Sequence, residues 1–155
     1  MVKFDTSGSC EWIATAGAAT SHIPGSIDWE SKSSIALDVN ENIYVSTHTS
    51  GGTQTFSFGN IDVSLGSVGV IAKLNNNGSW EWITSHGISG PNNIVLDSNG
   101  DIYIITKDST SKIFLLDTET GVANYVMDIS FDDDNINDLN LITGGDINGD
   151  GSRMI

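Results

Sequence analysis

The stretch KLNNNGSWEWITSHG at residues 73–87 decides the fold, because it repeats KFDTSGSCEWIATAG at residues 3–17. In each copy a short run with apolar residues leads into an Asn/Asp/Ser/Gly cluster, and a second run with aromatic and β-branched residues follows. This pattern predicts a β-hairpin with a tight turn. Trp80 and Trp82 are separated by one polar residue in an alternating run, so we expect a regular strand there.

A second hairpin pattern joins SIALDVNENIYVS at residues 34–46 to NIVLDSNGDIYII at residues 93–105. Each copy has an apolar run, an Asp-x-Asn-x-x turn and an alternating run. A weaker copy of the first hairpin type, KIFLLDTETGVANYVM, covers residues 112–127 and has Tyr125 near the place of the second Trp. The two hairpin types therefore alternate along the chain.

Alternating hairpins of these two types predict an all-β protein made of four-stranded antiparallel β-propeller blades. We expect one domain with a half blade at residues 1–17, a blade at 33–87, a blade at 92–128 and a half blade at 137–155. Residues 49–69 carry their own alternating run and predict an extra hairpin within the first full blade. Because the half blades are complementary, two readings stay open: a fragment of a longer propeller, or a homo-oligomer completed through its terminal half blades.

Charge and composition narrow the classes of partner. The 155 residues include 6 Lys and Arg against 20 Asp and Glu, and the net charge is -14. This charge repels phosphate, so we expect no nucleic-acid partner. No apolar run approaches the length of about 18 residues that a spanning helix needs, so we expect no membrane insertion. The N-terminus shows no signal-peptide pattern.

Cys10 is the only cysteine, so the chain has no internal disulfide. In the repeat, Cys10 stands where Trp80 stands, and we therefore expect it to be buried. Trp12 and Trp82 occupy the same place in the two copies. For this pair we expect packing between neighbouring blades, because aromatic side chains on strands bury large areas.

The strings SIALDVNENIYVS, VIAKLNNNGSWEWITSHG and NIVLDSNGDIYII resemble SBBP-type β-propeller repeats, with a match over roughly residues 1–127. The resemblance implies a non-catalytic module for binding or scaffolding. It also implies an extracellular, cell-surface or virion location. No catalytic motif comes with it, and we expect no enzymatic activity.

GGDINGDG at residues 144–151 is similar to the calcium loops of FG-GAP-type propellers, dockerins and EF-hands. This resemblance implies Ca²⁺, the one cofactor that the sequence suggests, held by Asp146, Asn148 and Asp150. The loop lacks its closing carboxylate. We therefore favour the alternative, a hairpin turn stabilised by an Asp side chain, as in its two homologous copies.

The candidate ligand site lies in the loop HIPGSIDWESK and consists of His22, Asp28 and Trp29. Trp29 lies outside the repeat, and an exposed Trp can stack on a sugar ring. We expect a protein or glycan ligand to bind loops 18–32 and 49–69, because long loops on a rigid scaffold commonly bind ligands. Two alternative functions stay open: a carbohydrate-binding, lectin-like propeller, and a propeller hydrolase or lyase acting at the ring centre.

Overall fold

A computed structural model of the chain describes residues 1–18, 26–28, 34–50, 53–85, 91–97, 99–107 and 111–129. All regular elements in these ranges are β-strands, which confirms the all-β prediction. The strands are β1 (Val2–Phe4), β2 (Cys10–Ile13), β3 (Ala16–Ala18), β4 (Ser26–Asp28), β5 (Ser34–Leu37), β6 (Ile43–Ser50), β7 (Gln54–Phe58), β8 (Ile61–Leu65), β9 (Gly69–Leu74), β10 (Trp80–Thr84), β11 (Pro91–Leu96), β12 (Ile102–Lys107), β13 (Ser111–Leu116) and β14 (Ala123–Ile129).

These strands form four antiparallel sheets. The N-terminal sheet contains β1 and β2, and the hairpin sheet has the order β3-β7-β8. The central sheet has the order β10-β9-β6-β4, with β5 also paired to β6, and the C-terminal sheet follows the chain as β11-β12-β13-β14. Within the described ranges the strands do not close into a ring.

The predicted hairpins are present. β5 pairs with β6 and β11 with β12, while β9 pairs with β10 and β13 with β14. The extra hairpin predicted within 49–69 is β7–β8. One strand differs from the expected grouping: Ala16–Ala18 leaves the N-terminal hairpin and pairs with Phe56–Phe58 in the hairpin sheet.

The turns of five hairpins, β1–β2, β5–β6, β9–β10, β11–β12 and β13–β14, each begin with an Asp or Asn side chain that accepts backbone N–H bonds. Asp97 Oδ1, for example, accepts from the N–H groups of Asn99 and Asp101, both at 2.9 Å. The same side-chain role falls to Asp5, Asp38, Asn75 and Asp117. This bonding fixes the turn locally, which is why Asp and Asn at these positions are such reliable turn signals.

Glu41→Gly is expected to stabilise the protein, because Glu41 is the non-glycine residue that has a positive φ (62°) in the described part of the chain. A left-handed residue other than glycine costs about 1–2 kcal/mol. The freedom of glycine in the unfolded chain offsets about 0.4–1 kcal/mol of that gain. Glu41→Gln is the matched control, because it also removes the charge that contacts Lys3.

In urea unfolding we expect the Glu41→Gly variant to be about 0.5–1 kcal/mol more stable than the Glu41→Gln variant. Equal stability of the two variants would show that the backbone at this position is not strained.

The core has two parts, one on each face of the central sheet. The hairpin sheet covers the first face, where Phe56, Phe58 and Leu65 pack with Val70 and Leu74 of the central sheet. The C-terminal sheet covers the second face. That second cluster consists of Ala36, Tyr44, Ile71, Ile94, Ile102, Ile104 and Leu116.

The two tryptophans of β10 belong to different clusters, which the alternating pattern did not predict. Trp80 lies opposite Leu74 and is buried in the first cluster, whereas Trp82 lies opposite Lys73 and packs against the second. The register shifts between Trp80 and Trp82, so Glu81 is the extra residue of a β-bulge. This one bulge sends an aromatic side chain to each face of the sheet.

One further expectation about the repeat is wrong, and one match is displaced by a single residue. Cys10 is exposed, although the matching Trp80 is buried, because the hairpin sheet covers the central sheet and not the outer side of the N-terminal sheet. Tyr125 does not take the place of Trp82. It lies opposite Phe114, with the rings 5.9 Å apart, and Asn124 is the residue opposite Leu115, which matches Lys73 in the repeat.

Candidate functional site

All five Asx turns lie at the same end of their sheets, because successive antiparallel strands alternate in direction and both hairpin types close on the same side. We call this the turn end. Its turns are in contact: the Asn76 side-chain N–H donates to the Asn40 carbonyl at 3.3 Å, and Lys3 Nζ lies 3.0 Å from Glu41 Oε2. The turn end is therefore a continuous polar surface across neighbouring sheets.

One inter-sheet contact occurs twice at the turn end. Trp12 of β2 donates its indole N–H to the Asn76 carbonyl at 2.9 Å, and its ring lies over Gly78, where an added Cβ would be only 2.7 Å from ring carbons. Trp82 of β10 makes the same contact with the next sheet. Its N–H donates to the Thr118 carbonyl at 3.2 Å, and a Cβ at Gly121 would be 2.9 Å from the ring.

Trp12 and Trp82 therefore each pack against a neighbouring sheet. The glycines are required, because Gly78 and Gly121 both have positive φ and a side chain would meet the indole. The N-terminal, central and C-terminal sheets are thus joined in series by one repeated contact.

A cleft of about 420 Å³ opens between the N-terminal and central sheets at the turn end. It is lined by Lys3, Glu11, Trp12, Glu41, Asn76 and Asn77. Lys3 Nζ lies 3.1 Å from Glu11 Oε2 and 3.0 Å from Glu41 Oε2. Hydrogen bonds to Glu41 and Glu11 raise the pKa of Lys3, so the ammonium stays charged.

The junction of the central and C-terminal sheets has a related arrangement. Lys73 Nζ lies 2.8 Å from Glu81 Oε2 and 5.8 Å from the centre of the Tyr44 ring. The Tyr44 hydroxyl donates to Asp38 Oδ2 at 3.1 Å, and burial together with the Asp38 charge raises the pKa of Tyr44. At this junction Gly100 occupies the position that matches Glu41 of the cleft beside Lys3. A counterpart of the Glu41 carboxylate is therefore absent here.

The side chains that line the cleft beside Lys3 favour the binding of a polar ligand. Trp12 packs one face on Gly78 and uses its N–H on Asn76, so the indole serves the sheet contact. Glu11 and Glu41 offer carboxylate oxygens, while Asn76 and Asn77 offer amides. These groups suit a neutral polar ligand that donates hydrogen bonds. In the described ranges, no group of three or more His, Cys, Asp or Glu side chains is arranged to hold a metal ion.

The ionisation of Asp38 makes the stability of the protein depend on pH. Burial works against its ionisation, but hydrogen bonds from the Asn42 side chain, from backbone N–H groups and from Tyr44 outweigh it and lower the pKa of Asp38. A pKa that is lowered in the folded state stabilises the protein above the unfolded-state value, and this contribution is lost as the pH falls through the folded-state value. We therefore expect the free energy of unfolding to fall below about pH 4.

Asp38→Asn tests this pH dependence. Asn75 holds the same position in its own turn and makes the same two backbone contacts, so an Asn side chain fits there. Urea unfolding between about pH 5 and pH 2.5 should give a shallower fall in stability for the variant than for the wild type. Parallel curves would mean that Asp38 does not contribute.

The structure brings few of the sequence-predicted site residues together. Asp28 lies in β4, where its backbone pairs with His48 of β6. His22 and Trp29 lie outside the described residues, as do Asp146, Asn148 and Asp150 of the proposed calcium loop. The two homologous copies of that loop, at Asp38 and Asp97, are Asx turns, as expected.

The inner side of the predicted binding loop 49–69 belongs to the core, since Phe56 and Phe58 are fully buried. Sequence reasoning missed the cleft residues Lys3 and Glu41. The repetition of Lys3 as Lys73, and of Glu11 as Glu81, was the signal for half of the arrangement. The residue that matches Glu41 in the repeat is Gly100, so the repeat does not predict a carboxylate at this position.

The described residues include no helix with the length and apolar character that crossing a membrane requires. Comparisons of the chain with protein-family models, with curated proteins and with solved structures found no match.

Proposed function

We propose that this chain is a module of stacked, propeller-type blades that acts as a non-catalytic scaffold for binding, outside the cell or on a virion surface. The observation that carries the proposal is the repeated contact of Trp12 with Gly78 and of Trp82 with Gly121. A contact that recurs from sheet to sheet is the mark of an architecture built from like units, in which each unit packs on its neighbours.

In this proposal the central and C-terminal sheets are consecutive blades, and the N-terminal sheet is half of another. The C-terminal sheet has four strands in chain order, the central sheet has β5, β6, β9 and β10 in that order, and the N-terminal sheet has one hairpin. The hairpin sheet is an insertion that covers one face of the central blade. The rigid sheets hold the turn end in a fixed shape, which lowers the conformational cost of presenting polar groups to a partner.

The proposed location rests on the resemblance to SBBP-type repeats. It is tested by adding a protease to intact cells or particles that carry the protein, followed by detection of the chain with an antibody. Cleavage without lysis is expected. Protection equal to that of an internal marker protein, with cleavage only after lysis, would contradict an outside location.

Carbohydrate binding is a second candidate, and the polar cleft beside Lys3 favours it. Glu11, Glu41 and Asn76 could accept or donate hydrogen bonds to sugar hydroxyls. A neutral-glycan array is the probe. Binding that disappears in the Glu41→Gln variant and persists in Glu119→Gln, a matched change in an exposed turn of the C-terminal sheet, would support this candidate.

A further inference from the structure

Most of the exposed large apolar side chains in the described ranges lie on the first and last sheets of the series, and three others, Ile35, Leu37 and Val39, lie on the central sheet. On the N-terminal sheet, Val2 is 49%, Phe4 61% and Ile13 66% exposed. On the last strand, β14, Val126 is 47% and Met127 51% exposed. Large apolar groups gathered on a surface in this way mark interaction sites.

The apolar residues of the N-terminal sheet share one face. Val2 lies opposite Ile13 and Phe4 opposite Cys10, whereas Lys3 lies opposite Trp12. Directly opposed residues point to the same side of a sheet, and Trp12 points to the central sheet. Val2, Phe4, Cys10 and Ile13 therefore form the other side, which we call the outer face.

The repeat shows what covers an outer face. The residues of the C-terminal sheet that match Val2, Phe4 and Cys10 are Phe114, Leu116 and Ala123, and all three belong to or pack against the cluster that this sheet shares with the central sheet. In the central sheet the matching residues are buried in the cluster that includes the hairpin sheet. Gly78 and Gly121 each meet a Trp from the last strand of the preceding sheet. The matching residue of the N-terminal sheet is Gly8, with φ 85°, and nothing described lies within 4 Å of a Cβ placed there.

At the other end of the series, β14 holds the position that β2 and β10 hold in their sheets. β2 and β10 carry the tryptophans that contact the following sheet. β14 is the edge strand of the C-terminal sheet, and its apolar side chains Val126 and Met127 are exposed. β14 has Asn124 where β2 and β10 have these tryptophans, so the Trp–Gly contact is not repeated at this end. The two ends are still the two sides through which neighbouring sheets pack inside the chain, and both expose apolar side chains.

The geometry points to head-to-tail self-association: the outer face of the N-terminal sheet packs against the β14 side of the C-terminal sheet of a second copy of this chain. This contact rests on the proposed stacking of blades and extends it from one copy to the next. It is heterologous, since different surfaces of the two copies meet, and repetition closes a ring or extends a filament. The net charge of -14 on each copy opposes it, so salt should strengthen it.

Light scattering of the full chain over a range of concentrations is the first test. We expect the mass to rise from that of a monomer to a dimer or larger species, and to rise further with added salt. Phe4→Asp and Met127→Asp should each weaken association by about tenfold or more, because each buries a charge without a partner. Val39→Asp is the matched control, since Val39 is 88% exposed and lies in a turn of the central sheet.

Cys10 gives a second test that does not depend on weakening variants, because it lies exposed on the outer face. Wild type is mixed with a Cys10→Ser/Met127→Cys variant under mild oxidation. We expect a disulfide between the two chains. A Cys10→Ser/Val39→Cys variant should give little of that product under the same conditions.

A wild type that stays monomeric at every concentration and salt would overturn self-association, and would fit a role for these faces against other parts of a longer protein. Association that survives both Phe4→Asp and Met127→Asp would overturn the assigned surfaces. Neither result bears on the packing of the sheets within one chain, which the effect of the Trp–Gly contacts on unfolding tests separately. Failure of the contact between copies can therefore be distinguished from failure of the proposed architecture.

Discussion

Gly78→Ala is expected to lower the free energy of unfolding by about 2–4 kcal/mol. Two costs add at this position. Gly78 has φ 82°, where a residue with a Cβ costs about 1–2 kcal/mol. The new methyl group would also lie 2.7 Å from ring carbons of Trp12, and relieving such a clash costs about 1–3 kcal/mol. The lower entropy of Ala in the unfolded chain offsets about 0.4–1 kcal/mol.

Gly100→Ala is the control that separates the two costs. Gly100 has φ 88° in an equivalent turn, but nothing in the described ranges lies within 4 Å of a Cβ placed there. We expect this variant to lose only the backbone cost, about 1 kcal/mol. The difference between the two variants, measured by urea unfolding, is then the value of the close approach of Trp12.

Combining Gly78→Ala with Trp12→Ala gives a further check. Removing the indole removes the clash, so the two effects should not add. Equal losses in the Gly78→Ala and Gly100→Ala variants would mean that Trp12 moves aside freely. The repeated contact would then be too weak to hold the sheets in series, and the architecture under the proposed function would lose its support.

The hairpins could be predicted from the sequence because their determinants are local. Asp97 bonds to N–H groups two and four residues later, and Gly100 supplies the positive φ, so a few neighbouring residues specify the whole turn. The four strands of the C-terminal sheet follow the chain for the same reason. Each strand pairs with the next one across a short connection.

Burial could not be predicted equally well, because it depends on contacts between distant residues. The bulge at Glu81 is set by the pairing of β10 with β9, and it decides that Trp80 and Trp82 face opposite sides. Cys10 and Trp80 occupy matching positions, yet only Trp80 is covered by the hairpin sheet. An internal repeat predicts which residues match but not which sheet faces them.

The residues of the candidate cleft also divide into those that the repeat predicts and those that depend on contacts between sheets. Lys3 and Glu11 recur as Lys73 and Glu81, so their pairing follows from the repeat. Glu41 joins them only because the turn that carries it meets the N-terminal sheet, and its matching residue is Gly100. A site assembled between sheets needs the inter-sheet geometry before its members can be recognised.

The sequence pattern predicts that the β7–β8 hairpin is part of a binding loop, and Phe58→Ala tests the different role that the structure gives it. Phe58 is fully buried, and its ring meets that of Trp80 edge to face with the centroids 5.2 Å apart. Truncation of a buried Phe to Ala removes the packed ring and leaves a cavity, which costs about 3–5 kcal/mol. We therefore expect a loss of this size in urea unfolding.

Phe4→Ala is the matched control, because Phe4 is 61% exposed on the outer face. At protein concentrations low enough to keep the chain monomeric, its truncation should change the free energy of unfolding by no more than about 0.5 kcal/mol. If Phe58→Ala were as mild as Phe4→Ala, the hairpin would be an appendage that is free to bind a partner. A large loss confined to Phe58→Ala would mean that the insertion is part of the core, because the central sheet depends on it to cover one face. The binding surface would then have to be sought at the turn end, where the polar groups of neighbouring sheets converge.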